Sequence, residues 1–443
     1  MKTLCILTAS FPPSSNVGAL RPFRLAKRIS HEGWKVIIIS KMPDINFAHN
    51  TGLLTELASG VEIHYISKKK IILYPEISED VDKFFHQFQK ESVSSKNKII
   101  INRLKGTAKE QLLKFVVPDL DIFIVPLMIK KLLPLLKSNG EKVILSTSPT
   151  HSLHLAGLIC KKISGIPWVA DFRDPWDRYP ITGSIYLKNP VERQFKKMVI
   201  RSADALISTT DTYHKNLIDE HSNLDSNKFY KITNSYDETR INPTAKKAKD
   251  KFVISYTGIF YPNKDPFTFF RALKTWFDGM ESQDMKKYQE ILTVQLIGSK
   301  SKAVEQVIKT LDLRSVVKFI DRVPHEEALR LSLSSDMLLI CAGLGEQSRP
   351  GWIPSKLLEY LGCRIPILAI CREGEMAGII RRTQSGYVIT EENHDMVCNI
   401  LQKEIDNKLA GKTDLNFKFK NIEQFEEKNT MGQFVQIIEQ IAR

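Results

Sequence analysis

Short β-branched runs, each followed by an amphipathic segment, recur along the whole chain, and this alternation most constrains its fold. In the first half Leu4–Ala9 reads as a buried strand, followed by the loop Ser10 to Val17. Gly18–His31 is then helical, with Leu20, Phe23, Leu25, Ala26 and Ile29 near helical spacing. Gly33 stops that helix and Val36–Ile39 is the next strand, so the unit is βαβ and the sheet is parallel. The pattern recurs with strands at Val143–Thr147, Pro167–Ala170, Ala205–Ser208 and Phe229–Ile232. Helices are expected at His151–Ile163, ended by Gly165, and at Val191–Arg201. Thr239 to Lys251 is polar and lysine-rich with a proline, which is linker composition.

A second series begins at Phe252. Its strands are expected at Phe252–Tyr256, Thr293–Ile297, Val317–Ile320, Met337–Cys341, Pro366–Ile370 and Tyr387–Ile389. Helices are expected near 265–279, 302–312, 325–334, 355–363, 373–381 and 393–409. The reading is two doubly wound α/β domains, 1–238 and 250–425. Each directs the loops at the C-terminal ends of its strands toward a cleft at their junction. A last helix within 426–443 has no strand after it and is expected to pack back on the N-terminal domain.

Composition narrows the class. With 42% apolar and 26% charged residues, the 443-residue chain is globular and long enough for two to three domains. Its six cysteines are scattered without metal-like spacing and most sit in apolar runs, which fits a reducing, cytoplasmic setting. No signal peptide is readable, and the longest apolar run, Ile122 to Ile129, is far short of the ~20 residues of a spanning helix. The net charge of +14 is uneven: residues 1–240 carry 35 basic and 24 acidic side chains, residues 241–443 carry 29 and 26. Residues 93–142 hold ten basic and four acidic residues among Ile, Leu, Phe and Val. This points either to an anionic membrane surface or acidic partner, or to a solvated helical face. No nucleic-acid motif accompanies the charge, so nucleic acid is not expected as a partner.

Four segments carry candidate chemistry. The loop Phe11-Pro12-Pro13-Ser14-Ser15-Asn16-Val17-Gly18 puts a glycine where a helix starts beside a strand end, as a phosphate loop or as an ordinary turn. Asp171-Phe172-Arg173-Asp174-Pro175-Trp176 follows an apolar strand. Arg173 and Asp174 there either orient a sugar hydroxyl or phosphate, or lock the loop as an ion pair. In Thr257-Gly258-Ile259 the glycine lets backbone approach a ligand, and Lys264 adds a cation. In Pro354-Ser355-Lys356-Leu357-Leu358-Glu359 a lysine falls in the first helical turn, where it opposes the helix dipole unless an anion shares the site. Glu359, one turn on, suits the two hydroxyls of a ribose, or else simply pairs with the lysine.

In this order the segments resemble the retaining family-4 glycosyltransferases of GT-B fold. Ile232-Thr233-Asn234-Ser235-Tyr236-Asp237 and Val323-Pro324-His325-Glu326-Glu327 belong to the same set, which spans nearly the whole chain. The resemblance implies GT-B architecture, two Rossmann-like domains facing a central cleft. It implies transfer of a sugar from a UDP- or GDP-linked donor to a glycan or lipid-linked acceptor in cell-surface polysaccharide biosynthesis, by a cytoplasmic protein peripheral to the inner face of the membrane. Gly18 would approach the donor phosphate or sugar. Gly258 and Ser355 join it on the donor side, and Lys264 and Lys356 would neutralise the diphosphate. Glu359 would hold the ribose, and the loop at Val323 would lie against the base. Arg173 and Asp174 are the catalytic candidates, with Asn16, Arg21 and Asp171 on the acceptor side. No metal and no cofactor are expected, because lysines and a helix N-terminus take the place of a divalent ion.

The chain departs from that family at three positions. Ile259 stands where many relatives have arginine, Gly351 where many have glutamate, and Arg173 where many have the histidine before aspartate. The departures resemble those of an exopolysaccharide-type branch. They also motivate two other readings on the same fold, a nucleotide-sugar epimerase or hydrolase and a catalytically inactive partner subunit. A cluster of histidines and carboxylates for proton abstraction is missing, which argues against the epimerase.

Overall fold

The computed structural model describes residues 2–43, 52–67, 71–74, 116–176, 190–241, 247–260, 267–298, 300–345, 351–412 and 417–442. These divide into two compact units, Met1–Asn234 with Lys428–Arg443, and Ser235–Glu427.

The first unit runs β1 (Thr3–Thr8), α1 (Leu20–His31), β2 (Lys35–Lys41), β3 (Val61–Ile66), β4 (Ile71–Tyr74), α2 (Val125–Leu136), β5 (Lys142–Thr147), α3 (Ser152–Ser164), β6 (Trp168–Phe172), α4 (Pro190–Ser202), β7 (Ala205–Ser208), α5 (Asp211–Glu220) and β8 (Phe229–Lys231). Among the described residues its sheet has the order β4-β3-β2-β1-β5-β6-β7-β8, parallel throughout except for β4. Strand side chains alternate between two cores because neighbouring Cβ atoms point to opposite faces. Leu4, Ile6, Val36, Ile38, Val143 and Leu145 pack on α1, whereas Cys5, Leu7, Ile37, Ile39 and Ile144 pack on α2 and α3. β1 lies between β2 and β5, so the chain reverses its direction of travel across the sheet there. Ligands of doubly wound sheets bind at such a reversal, outside the C-terminal strand ends.

The second unit runs β9 (Phe252–Thr257), α6 (Phe267–Asp278), α7 (Ser282–Ile291), β10 (Leu292–Ile297), α8 (Lys302–Thr310), β11 (Val317–Ile320), α9 (His325–Leu333), β12 (Met337–Gly343), α10 (Ser355–Cys363), β13 (Ile367–Cys371), α11 (Glu375–Thr383), β14 (Gly386–Ile389) and α12 (His394–Leu409). Its parallel sheet has the order β11-β10-β9-β12-β13-β14, with the reversal between β9 and β12.

α13 (Glu427–Ala442) contributes Met431, Phe434, Val435, Ile437 and Ile438 to the core of the first unit, beside α1. The stretch expected as a linker from Thr239 begins later than the division between the units. Tyr236 donates its N–H to Phe425 O (3.0 Å) and accepts from Glu427 N (2.9 Å), which ties 235–237 to the second unit. β6 also continues to Phe172, two residues beyond the expected end, so Asp171 lies in the strand and is buried. Residues 93–115 of the basic stretch lie outside the described residues.

Candidate active site

In the second unit the loops at the sheet reversal bring together residues far apart in sequence. β9 ends at Thr257, and Gly258 follows with φ +97°, a conformation that glycine adopts readily. Its N–H donates to Ile297 O (2.9 Å), holding the turn against β10. Behind it lies the start of α10, where Pro354 takes the N-cap position, makes no side-chain cap, and is followed by no acidic residue in the first turn. Lys356 stands in that turn. Its Nζ donates to Thr257 O (2.5 Å), lies 3.6 Å from the centroid of the Tyr256 ring, and would be 3.4 Å from a Cβ at Gly258. A carbonyl and an aromatic face therefore hold the ammonium beside the glycine turn. Tyr360, buried one turn further, fixes the strand end by binding both the N–H and the hydroxyl of Thr257 at 3.0 Å. Burial pushes its phenol well above the usual range, so it stays neutral.

Glu359 sits one turn after Lys356, with Oε1 2.6 Å from His325 Nε2 at the start of α9. Ser355 is exposed at the first position of α10, and Val323 is half-buried in the loop ahead of α9. Lys264 lies outside the described residues. Gly258, Ser355, Lys356 and Glu359 are thus gathered around one helix N-terminus, where the helix dipole and the first-turn N–H groups favour an anion. Replacing Gly258 with alanine forces a side chain into its left-handed conformation. The expected cost is about 1–3 kcal/mol, read as a lowered melting temperature of the second unit.

In the first unit three loops converge at the sheet reversal. Asn16 caps the short turn Val17–Ala19 by accepting from Gly18 N (2.9 Å). The Gly18 carbonyl accepts from Arg173 Nη1 (2.7 Å), and a Cβ at Gly18 would lie 2.8 Å from that nitrogen, so the glycine leaves room for the guanidinium. Arg173 Nη2 is 3.9 Å from Asp174 Oδ2, and both side chains are largely but not fully buried, at 17% and 16% exposure.

Arg21 and Asp171, expected on the acceptor side, turn inward instead. Arg21 Nε and Nη2 grip the two oxygens of Asp171 (3.0 and 2.9 Å), with side chains only 5% and 2% exposed. Nη2 also donates to Ile232 O (2.9 Å), and Nη1 to Thr233 O (2.8 Å) and Asn234 Oδ1 (3.4 Å). Thr147 Oγ1 donates to Asp171 Oδ2 (2.8 Å), and the Phe434 ring lies 4.7 Å from the guanidinium carbon. The pair clamps α1, β5, β6, the end of the first pass through this unit, and α13. The sequence offered no sign of it, because its partners are 150 residues apart.

The loop after β5, Ser148–His151, carries no glycine and no charged side chain. The His151 ring stacks on Trp176 (4.8 Å, 15°), whose indole nitrogen donates to Glu192 Oε1 (3.1 Å). Deeper, His154 is fully buried with Nδ1 2.8 Å from Ser146 Oγ, and burial holds its ring neutral well below the usual histidine range. An unfolded chain protonates histidine near pH ~6.5, so in acid unfolding takes up a proton that the folded state excludes. The contribution is intact above about pH 6.5 and declines below it, by at most about 1.4 kcal/mol per pH unit. Chemical denaturation at pH 7.5 and 5.5 is expected to show a smaller acid loss for His154→Gln than for wild type.

Residues 237–423, which include the Gly258, Lys356 and Glu359 cluster, match the model of the glycosyl transferases group 1 family. Over those residues the chain is similar to that family. Its fold is that of GT-B glycosyltransferases. Sucrose-phosphate synthase from Thermosynechococcus elongatus is similar at a TM-score of 0.66 and 12% identity, over 100% of this chain and 99% of that one. A glycosyltransferase from Rickettsia africae gives 0.63 and 13%, over 100% and 98%. Anabaena HepE in complex with UDP gives 0.62 and 14%, over 99% and 100%. No curated protein matches the sequence significantly. The matched region thus coincides with the unit whose helix α10 carries Lys356 in its first turn. No helix of the described residues is long and apolar enough to cross a membrane.

Proposed function

We propose that this glycosyltransferase moves a sugar from a UDP- or GDP-linked donor to a glycan or lipid-linked acceptor with retention of configuration, in cell-surface polysaccharide biosynthesis. The observation that carries the reading is Lys356, held in the first turn of α10 beside the Gly258 turn. The diphosphate binds there, Glu359 takes the ribose, and the Val323 loop lies against the base. HepE has been solved with UDP and with UDP-glucose, which supports a donor of this class.

As the glycosidic bond breaks, charge develops on the diphosphate. Lys356 and the helix N–H groups stabilise it without reorganising, with Lys264 as a second cation. These groups supply the positive charge that a divalent ion would otherwise provide, so no metal is needed. Chelation with EDTA should leave turnover unchanged. The acceptor hydroxyl attacks on the face that the diphosphate leaves, positioned by Arg173 and Asp174 of the first unit, with Gly18 and Asn16 shaping the adjoining loop.

A thermal-shift panel of UDP-, GDP- and ADP-sugars tests the donor assignment, because a ligand bound only by the folded state raises its stability as ln(1 + [L]/Kd). A shift with one nucleotide class and none with the free sugars supports it. No shift with any nucleotide would favour an inactive partner subunit, and rapid release of free nucleotide without acceptor would favour a hydrolase.

The lipid-linked acceptor and a peripheral, cytoplasmic-face location rest on the segment entering α2. Leu120 and Phe123 are 53% and 57% exposed there, and Lys130 on the helix and Lys137 at its C-cap are exposed. Such a surface favours an anionic bilayer at about 1 kcal/mol per basic residue near it. Co-sedimentation is expected with vesicles containing phosphatidylglycerol and to fall with salt. Equal partitioning onto neutral vesicles would contradict it.

A further inference from the structure

Sequence spacing alone would pair Lys356 with Glu359 across one turn of α10, as a surface ion pair. The structure separates them. The Lys356 ammonium is held by Thr257 O and the Tyr256 ring, while Glu359 Oε1 meets His325 Nε2 at 2.6 Å. Among the described residues His325 is the hydrogen-bond partner of Glu359, and Oε2 is left without one. A carboxylate only accepts, so Nε2 carries the proton and donates. The two side chains are 52% and 33% exposed, and an ion pair as open as this contributes little to stability. What the contact fixes is the direction of the carboxylate.

Two helices bring the pair together. His325 is the first residue of α9, directly after the Val323 loop. Pro324 caps that helix with φ −54°, close to the value its ring imposes, so the chain enters α9 in a fixed direction. Glu359 stands one turn into α10, and Leu329 and Leu333 of α9 share one apolar core with Leu357 and Leu361 of α10. Arg330, further along α9, is gripped by Glu327 of its own helix (2.6 and 2.7 Å). A glutamate has three rotatable bonds whose ordering opposes binding, and the imidazole orders them before any ligand arrives. It takes one acceptor position of Oε1 and leaves Oε2 and the rest of Oε1 for two adjacent hydroxyls.

Resting on the glycosyl-transfer reading, we infer that His325 is a positioning residue. It holds the Glu359 carboxylate in the orientation that accepts both ribose hydroxyls of the donor, and so makes the site prefer ribonucleotides to 2′-deoxyribonucleotides. It acts through Glu359 and does not touch the reacting atoms.

The experiment uses His325→Leu, His325→Gln, Glu359→Gln and the double variant His325→Leu with Glu359→Gln, all in the full chain. UDP, GDP and ADP are first titrated into wild type by calorimetry, and the nucleotide bound most tightly is compared with its 2′-deoxy form. Wild type should prefer the ribo form about tenfold or more. In His325→Leu that preference should shrink at least about fivefold, with affinity for the 2′-deoxy form within about twofold of wild type. His325→Gln, whose amide N–H stands in for Nε2–H, should restore the preference to within about twofold. The double variant should lose no more preference than Glu359→Gln, because one residue acts through the other. A preference unchanged within about twofold in His325→Leu overturns the inference. So does equal weakening of both nucleotides, which marks a merely structural effect, and so do losses that add in the double variant. Wild type that binds both forms equally removes this inference and leaves the diphosphate site standing. Wild type that binds no nucleoside diphosphate removes the glycosyl-transfer reading as well, and that failure appears before any variant is made.

Discussion

Lys356→Ala is expected to lower kcat/KM for sugar transfer by about 10²–10³, which is about 2.7–4 kcal/mol of transition-state stabilisation. The magnitude follows from where the ammonium sits. It is aligned by Thr257 O at 2.5 Å and by the Tyr256 ring at 3.6 Å, so it needs no reorganisation when charge appears on the leaving diphosphate. It also stands in a helical turn whose N-cap, Pro354, offers no capping side chain, so the ammonium and the helix dipole act on one anion. Lys356→Arg keeps the charge but brings a planar fork that does not fit between a carbonyl and a ring as a point charge does. It should recover only part of the loss. Stability should change little in either variant, which separates a catalytic loss from an unfolded protein. Turnover within twofold of wild type in Lys356→Ala would remove the lysine from the mechanism.

Arg21→Met should destabilise the first unit by about 3–5 kcal/mol, the usual penalty for leaving one partner of a buried ion pair alone. All five guanidinium N–H groups are engaged, and Asp171 keeps only the Thr147 hydroxyl when they go. The carbonyls of Ile232 and Thr233 lose their donor in the same step. Replacing Asp171 as well, as Arg21→Met with Asp171→Leu, should restore much of the loss, because a buried pair exchanged for apolar groups is often near neutral. Denaturant titration, followed by hydrogen exchange at β1, β5 and β6, reads both variants. A single variant as stable as wild type would mean that the clamp contributes nothing.

The architecture was legible wherever burial on both faces of a sheet demanded continuous apolar runs. Ile367–Cys371 is such a strand, Phe252–Thr257 and Leu292–Ile297 are nearly so, and the helices between them carry regular apolar spacing. Elements that escaped the sequence have weaker signals. β3, Val61–Ile66, includes Glu62 and His64 in a six-residue strand. α2 opens on Val-Pro and contains Pro134, and α7 buries only Tyr288. The sequence also ended β6 at Ala170, because Asp171 looks like a loop residue until its salt bridge is known.

The donor cluster was partly legible, since Lys356 and Glu359 share one helix and Gly258 marks a strand end. His325 was quoted within a motif, but its contact with Glu359 spans 34 residues and arises only from the packing of α9 against α10.

The most direct test of a diphosphate site at the start of α10 is isothermal titration of UDP, GDP and ADP into wild type and Lys356→Ala. Micromolar binding of one nucleotide by wild type, weakened tenfold or more in the variant, is the predicted result. Equal affinity in the two proteins, or no binding of any nucleotide to wild type, would contradict it.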